Sequence, residues 1–367
     1  MAPHDPLTCR TLRRRTPATT GTRSRRRTGR ASSSQPFGAT IAATASRTAT
    51  DETHPPDGDQ HVSPTRPSVL VTRRIPSSVL SRLEAVCEVD VNDSPGLAPA
   101  DLRSRLQGKA GLVCVLTDRI DEDLLESVQE LKVVSNIAVG YDNIDVPAAK
   151  SRGVIVTNTP DVLTEATAEL TWALILAAAR RIGEGERLVR SGRWKGWALD
   201  FMLGTELRGK QLGVIGRGRI GRAVAARASA FGMTAVLAKT DMSIDELLVS
   251  SDVVSIHTSL RPETRHLIDR KALARMKRSA ILVNTARGPV VDEEALAWAL
   301  KERLIAAAAL DVYEREPIVH EELLGLENVV LVPHLGSATR ETRTAMIDLA
   351  VSNVLAVVQG RPPITPV

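Results

Sequence analysis

The chain of 367 residues is poor in cysteine, holding only Cys9, Cys87 and Cys114. An odd trio without metal-ligand spacing gives no disulfide framework and no cysteine-held metal centre, and fits a reduced, cytosolic setting. No apolar run is long and clean enough to span a bilayer; the longest, Leu170 to Ala179, reads as a buried helix. A secretory h-region is missing from the N-terminus, and no repeat of solenoid period is present. The body of the chain also lacks net charge. Residues 1–66 hold eleven arginines and five acids, a net of +6 within a total of +5, so the remainder stands at −1. A near-neutral body argues against a nucleic-acid binder.

Those first 66 residues are rich in Arg, Ser, Thr, Ala and Pro and hold too little apolar surface to order themselves. Three readings stay open for them: a disordered arm, an organelle transit peptide, or non-native, dispensable sequence from an upstream start codon, with a nucleic-acid arm the least favoured use. Arginine far exceeds lysine along the whole chain, as GC-rich coding would give, which favours the third.

What is present is a run of 22 residues, Gln211 to Gly232, that reads QLGVIGRGRIGRAVAARASAFG. A buried-strand run ends at Ile215; Gly216, Gly218 and Gly221 follow as G-x-G-x-x-G; Ala223 to Ala230 continues as an alanine-rich helix. The first glycine permits a tight turn, the second lets backbone approach a pyrophosphate, and the third lets helix pack on strand, so that helix N–H groups face the phosphates. A bare glycine pattern is common in structural turns. Strand-turn-helix context turns it into a prediction of dinucleotide binding.

Before that unit, SVLVTRR (Ser68 to Arg74), CEVDV, GLVCVL (Gly111 to Leu116), VVSNIAV (Val133 to Val139) and VIVTN (Val154 to Asn158) read as strands. Helices alternate with them: one after Pro76, then Ala98 to Leu106 and Glu122 to Val128. Such alternation predicts a parallel sheet covered on both faces. A helix from about Glu165 to Arg181 is apolar along most of its length and must be buried, in the fold or against a second subunit. The second unit continues with strands Thr234 to Ala238, Val253 to His257, Ile281 to Thr285, Ala307 to Leu310 and Val329 to Val332, and ends in a helix over Arg340 to Val358. The fold class expected is α/β with two parallel sheets.

In open α/β sheets ligands bind beyond the carboxyl ends of strands. Three strand ends there carry polar residues: Asn284 to Gly288, Asp311 to Pro317, and Pro333 to Ser337. Singly they have plain explanations: His334 as a hydrogen-bonded loop residue, Arg287 as a cap or a partner of Asp292, Glu316 as a solvated acid. Together, beside a dinucleotide turn, they fit hydride transfer to a 2-keto acid. Arg287 would bind the carboxylate through its planar fork, His334 would protonate the carbonyl oxygen, and Glu316 would orient the imidazole and hold it cationic.

GRGRIGRAVA, NTARGPVVDEEAL, ALDVYEREP and VPHLGSATRETR, with SNIAVGYDNID upstream, make the sequence from Ser68 onward resemble the D-2-hydroxyacid dehydrogenase family. LTDRIDEDLL, NTPDVLTEATAEL and RSGRWKGWALDFMLGTEL resemble its glyoxylate/hydroxypyruvate reductase branch most closely. The resemblance implies a flavodoxin-like substrate domain at 67–166, completed by 337–367, and a Rossmann dinucleotide-binding domain at 167–336 through which homodimers form. It assigns Arg287, Glu316 and His334 to catalysis. Val139 and Gly140 would hold the substrate carboxylate through their N–H groups. A tryptophan matching Trp197 would enter the pocket from a partner subunit, the alternative for Trp194 and Trp197 being interface packing. The implied cofactor contacts are Gly216, Arg217, Gly218, Arg219, Ile220 and Gly221 in the turn, and Lys239 and Thr240 at the next strand end. Thr258, Thr264, Thr285 and Ala286 follow, with Asp311, against the nicotinamide carboxamide, and His334 and Gly336. No metal is implied.

Two departures stand out. In a Rossmann unit an acid about 20 residues past the glycines binds the ribose 2′-hydroxyl and favours NAD. Lys239 and Thr240 occupy that strand end, which favours NADP(H) over NAD(H), although Asp241 lies close by. Moreover, a helix and short strand that wall the adenosine site in relatives are missing before Asp245, leaving Ser243 and Glu246 as a capping box for the surviving helix. The function expected is reduction of glyoxylate or hydroxypyruvate. Other 2-hydroxy acids (D-3-phosphoglycerate, D-lactate) and a dinucleotide-sensing corepressor-like role are the alternatives.

Overall fold

The computed structural model describes residues 66–367, so the Arg-rich stretch before them lies outside the described residues. Five strands form the first sheet: β1 (Ser68–Val71), β2 (Glu88–Val91), β3 (Gly111–Cys114), β4 (Val133–Asn136) and β5 (Ile155–Thr157). They are parallel, in the order β2-β1-β3-β4-β5. β3 and β4 are buried at every position, as continuous apolar runs in a doubly covered sheet require. The covering helices are α1 (Ser77–Glu84), α2 (Pro99–Arg105), α3 (Glu122–Glu126) and α4 (Val146–Ser151). β4 stops at Asn136 rather than Val139 because the chain turns there: the Asn136 amide donates to Gly140 O at 2.9 Å and to Asn143 Oδ1 at 3.0 Å.

α5 (Thr164–Ala179) crosses to the second layer. It is buried inside this chain, against β9, β10 and α7 of that layer, so no second subunit is needed to cover it. Trp172 anchors it, stacking on Phe231 at 4.4 Å and donating Nε1–H to Val224 O at 3.0 Å. α6 (Ile182–Arg190) follows and buries no side chain, leaving Ile182 and Val189 exposed.

The second sheet holds β6 (Gln211–Ile215), β7 (Thr234–Leu237), β8 (Val253–Ile256), β9 (Ile281–Asn284), β10 (Ala307–Leu310) and β11 (Val329–Leu331), with α7 (Arg219–Ala226), α8 (Ile244–Ser250), α9 (Arg270–Arg275), α10 (Glu293–Lys301) and α11 (Glu321–Leu324) between them. All pairings are parallel, and the order β7-β6-β8-β9-β10-β11 is the doubly wound dinucleotide-binding order without the strand that would lie outside β7 and with β11 added at the opposite edge. The shortening read from the sequence is thus real. β7 is an edge strand, and residues 238–243 lead straight into α8, whose Ser243–Glu246 capping box is formed.

α12 (Arg340–Val358) returns to the first sheet, where Ala350, Val351, Val354 and Leu355 pack with Val69, Val71, Val113 and Val133. Each Val or Leu so buried contributes about 1.5–3 kcal/mol. The buried Ser135 hydroxyl donates to Ala350 O at 3.0 Å and fixes the register of helix on sheet. Among the described residues no helix is long and apolar enough to cross a membrane.

Candidate active site

The turn after β6 is shaped by space around its glycines. Gly216 has φ +112°, and a Cβ there would sit 2.3 Å from His257 O, so only glycine serves. A Cβ on Gly221 would lie 1.9 Å from Gly216 O, which is how closely α7 packs on the turn. Gly218, by contrast, has nothing within 4 Å of an added Cβ and caps α7 without a side-chain hydrogen bond. The first N–H groups of α7 therefore remain for an external acceptor, and an open face stands in front of them. That combination fits the pyrophosphate of a dinucleotide.

Beyond the same sheet end lies a cleft of about 860 Å³, lined from the first sheet by residues 137–142 and from the second by Thr258, Thr285, Ala286, Arg287, Asp311, Glu316, His334 and Gly336. Three strand ends feed it. After β9, Asn284 holds the loop, donating to Arg287 O at 2.9 Å and accepting from Ala286 N at 3.0 Å. Arg287 then projects with Nε donating to Asp142 Oδ1 at 2.9 Å and Nη1 to Ala286 O at 2.8 Å. It does not pair with Asp292, which caps α10 instead.

After β10, Asp311 is buried and accepts the N–H groups of Leu335 and Gly336, the latter at 2.9 Å. Burial pushes its carboxyl up, against those N–H groups and His334. Its oxygens thus fasten the turn after β11, where His334 adopts the left-handed φ of +53°. Glu316 Oε1 accepts from Tyr313 N at 3.1 Å and Oε2 meets His334 Nδ1 at 2.9 Å. Burial would raise Glu316, but His334, the Tyr313 N–H and Arg287 together hold it below the ordinary carboxylate range. An ionised Glu316 on Nδ1 fixes the tautomer and leaves Nε2 for proton exchange.

The carbonyls of Val139 and Gly140 are taken by Asn158 Nδ2 at 2.8 Å and Asn136 Nδ2 at 2.9 Å, so the loop's N–H groups are its open donors. Gly140 leaves room for Arg287: a Cβ there would lie 1.6 Å from Nη2.

The other residues singled out from the sequence divide between the cleft and its surroundings. Lys239 and Thr240 stand at the end of β7, outside the cleft lining, and Asp241 turns back so that its Oδ2 accepts Leu237 N at 2.7 Å. Of the turn residues, Arg219 and Ile220 reach the cleft and Arg217 does not; Arg219 is paired with Asp161. Thr258 lines the cleft, whereas the Thr264 hydroxyl is used within its own turn, accepting from Arg261 N and donating to Ser259 O, each at 2.8 Å. The Thr285 hydroxyl meets that of Thr171 at 3.0 Å. Trp197 is 79% exposed on a segment that also exposes Trp194, Leu199 and Leu203.

Sequence reasoning passed over Asp142 and His257. Asp142 carried a signal, an acid two residues after Gly140 in the quoted loop, but its partner lies 145 residues away. His257 carried none. Its Nδ1 is enclosed without a partner, Nε2 meets Ser255 Oγ at 2.8 Å, and burial lowers its pKa to about 3.

The profile of the D-isomer specific 2-hydroxyacid dehydrogenase NAD binding domain matches residues 172–336. A glyoxylate reductase of Aeropyrum pernix is 49% identical over 317 residues, 81% of this chain and 95% of the relative. One of Thermofilum pendens is 46% identical over 316 residues, 81% of this chain and 93% of the relative. Among solved structures, the TT0316 protein of Thermus thermophilus superposes with a TM-score of 0.78 at 48% identity, covering 82% of this chain and 99% of that one. The NADPH-dependent glyoxylate/hydroxypyruvate reductase of Sinorhizobium meliloti, solved with NADP and malonate, gives 0.73 at 34% identity, covering 83% of this chain and 97% of that one. With its two parallel sheets, its glycine turn and these relatives along most of its length, the chain belongs to the D-isomer specific 2-hydroxyacid dehydrogenase family, a family of nicotinamide-dependent oxidoreductases.

Proposed function

We propose that this chain reduces small 2-keto acids, foremost glyoxylate to the achiral 2-hydroxy acid and hydroxypyruvate to the D-2-hydroxy acid. The observation that carries the reading is the meeting of Arg287, Glu316 and His334 from three successive strand ends in one cleft, the histidine Nδ1 already on the glutamate at 2.9 Å. The relatives named glyoxylate reductase supply the choice of acid.

A bound nicotinamide dinucleotide supplies the hydride. The protein's own part is to bind, orient and move a proton. Arg287 and the N–H groups of Val139 and Gly140 hold the substrate carboxylate. His334 Nε2 gives its proton to the carbonyl oxygen as negative charge develops there, and Glu316 stabilises the imidazolium before transfer. The turn from Gly216 to Gly221 would hold the pyrophosphate, with the N–H groups at the start of α7 as donors. Residues 67–166 with 337–367 serve as substrate domain and 167–336 as dinucleotide domain.

For the cofactor, NADPH is favoured over NADH. Lys239 offers a cation at the β7 end, while Asp241 is turned onto the Leu237 N–H rather than outward. For assembly, a homodimer is favoured: Ile182, Val189, Trp194, Trp197, Leu199 and Leu203 are all exposed along one segment, and Trp197 would meet the partner's cleft.

Purified protein should oxidise NADPH, and more slowly NADH, when given glyoxylate or hydroxypyruvate, followed at the nicotinamide absorbance. Binding of either dinucleotide with no turnover of any 2-keto acid would sink the reading.

A further inference from the structure

Arg287 is the substrate-holding cation of the proposed reaction, and its side chain is itself held. Nε is engaged by Asp142 Oδ1 at 2.9 Å and Nη1 by Ala286 O at 2.8 Å. Nη2 remains, over Gly140. Asp142 comes from the loop after β4 in the first sheet and Arg287 from the end of β9 in the second, so this ion pair crosses the cleft. The loop presenting Asp142 is pinned on both sides. Asn136 Nδ2 holds Gly140 O, and Asn143 Nδ2 donates to Asp118 O, both at 2.9 Å. Ile144 N donates to Tyr141 O at 3.0 Å, across Asp142 itself.

A guanidinium is planar, so fixing Nε and Nη1 fixes the direction in which Nη2 donates. That direction is toward Gly140, whose N–H is one of the loop's open donors. A carboxylate lying alongside that contact can accept from Nη2 of the second sheet and from the open N–H groups of the first-sheet loop.

We infer that Asp142 is a positioning residue: it aims Arg287 across the cleft, so that the substrate carboxylate binds only where both sheets contribute. The inference rests on the 2-keto acid reading above. The opposite role is physically conceivable, since Asp142 is itself a carboxylate and could compete with substrate for the arginine. The two roles differ in sign.

Asp142→Ala and Asp142→Asn proteins would be compared with the unaltered chain in three measurements: KM for glyoxylate, KM for the dinucleotide, and calorimetric affinity of the cofactor-loaded protein for oxamate, a non-reducible 2-keto acid analogue. Loss of a charge-assisted hydrogen bond on the aiming group should raise the glyoxylate KM about tenfold to a hundredfold in Asp142→Ala and weaken oxamate by the same factor. The dinucleotide KM should stay within about twofold, because Gly216, Gly218 and Gly221 make no contact with the pair. Asp142→Asn, which keeps a neutral acceptor, should fall between. An unchanged or lowered glyoxylate KM with unchanged or tighter oxamate binding would overturn the inference, as would an equal loss of dinucleotide affinity, the mark of general disorder. Failure of the underlying reading would show differently: the unaltered protein would neither reduce any 2-keto acid nor bind oxamate, and the inference would fall with it.

Discussion

At the scale of single residues the site separates groups that react from groups that hold. His334→Gln should keep dinucleotide affinity and lose about 10²–10⁴ in turnover, the ordinary share of a general acid, with single-turnover absorbance as the readout. His257 is a holding group with a cost. Its folded pKa of about 3 lies below the ordinary histidine value of 6.5, so between those pH values the unfolded chain binds a proton that the fold does not. Stability is therefore complete above about pH 6.5 and lost as pH falls below it, by about 2 kcal/mol at pH 5. His257→Asn should flatten the fall in melting temperature between pH 7 and pH 5; an equal fall in both proteins would refute the assignment. Glu316 has the same sign in a lower window. Its carboxyl is held below the ordinary range, so its contribution is present above about pH 4.3 and disappears as pH drops through the depressed value.

At the scale of elements, legibility followed how far each signal reaches along the chain. Most strands were legible as apolar runs bounded by polar residues, β2 as an alternating Glu-Val-Asp-Val, and α12 because nineteen residues show its ends clearly. α4 escaped notice. It is six residues long and is made by Asp145, which accepts Ala148 N at 2.9 Å, with little periodicity of its own. α6 escaped because its apolar side chains pack on nothing in this chain. The strand ends bearing Arg287, Glu316 and His334 were legible as residue types at one end of the sheet, whereas the Asp142 contact joins two sheets that no local pattern relates. The glycine turn gives a test at this scale. Gly216→Ala and Gly221→Ala force a Cβ to within 2.3 Å of backbone and should lower the melting temperature. Gly218→Ala meets open space and should leave the melting temperature alone while raising the dinucleotide KM. Equal effects of all three on stability would contradict this division.

For the whole molecule, both sheets line one cleft, with α5 packed on the second sheet and α12 returning to the first. The apolar residues left bare between Ile182 and Leu203 set the expected assembly. Size-exclusion chromatography with light scattering should give twice the chain mass, and Trp197→Ala should alter the glyoxylate KM without making the protein monomeric. A monomer with full activity would remove both expectations.

The shortened connection after β7 bears on solubility as well as on the cofactor. An edge strand with free N–H and C=O groups is a template for another chain's strand. Here Asp241 Oδ2 accepts Leu237 N, and Leu237 O accepts Thr240 N at 3.2 Å and Asp241 N at 2.9 Å. The turn that replaced a helix and a strand therefore closes off the end of the edge it exposed. Asp241→Ala should leave turnover intact and increase light scattering on concentration, so that the stretch surviving the deletion acts as the guard that keeps one molecule from annealing to the next.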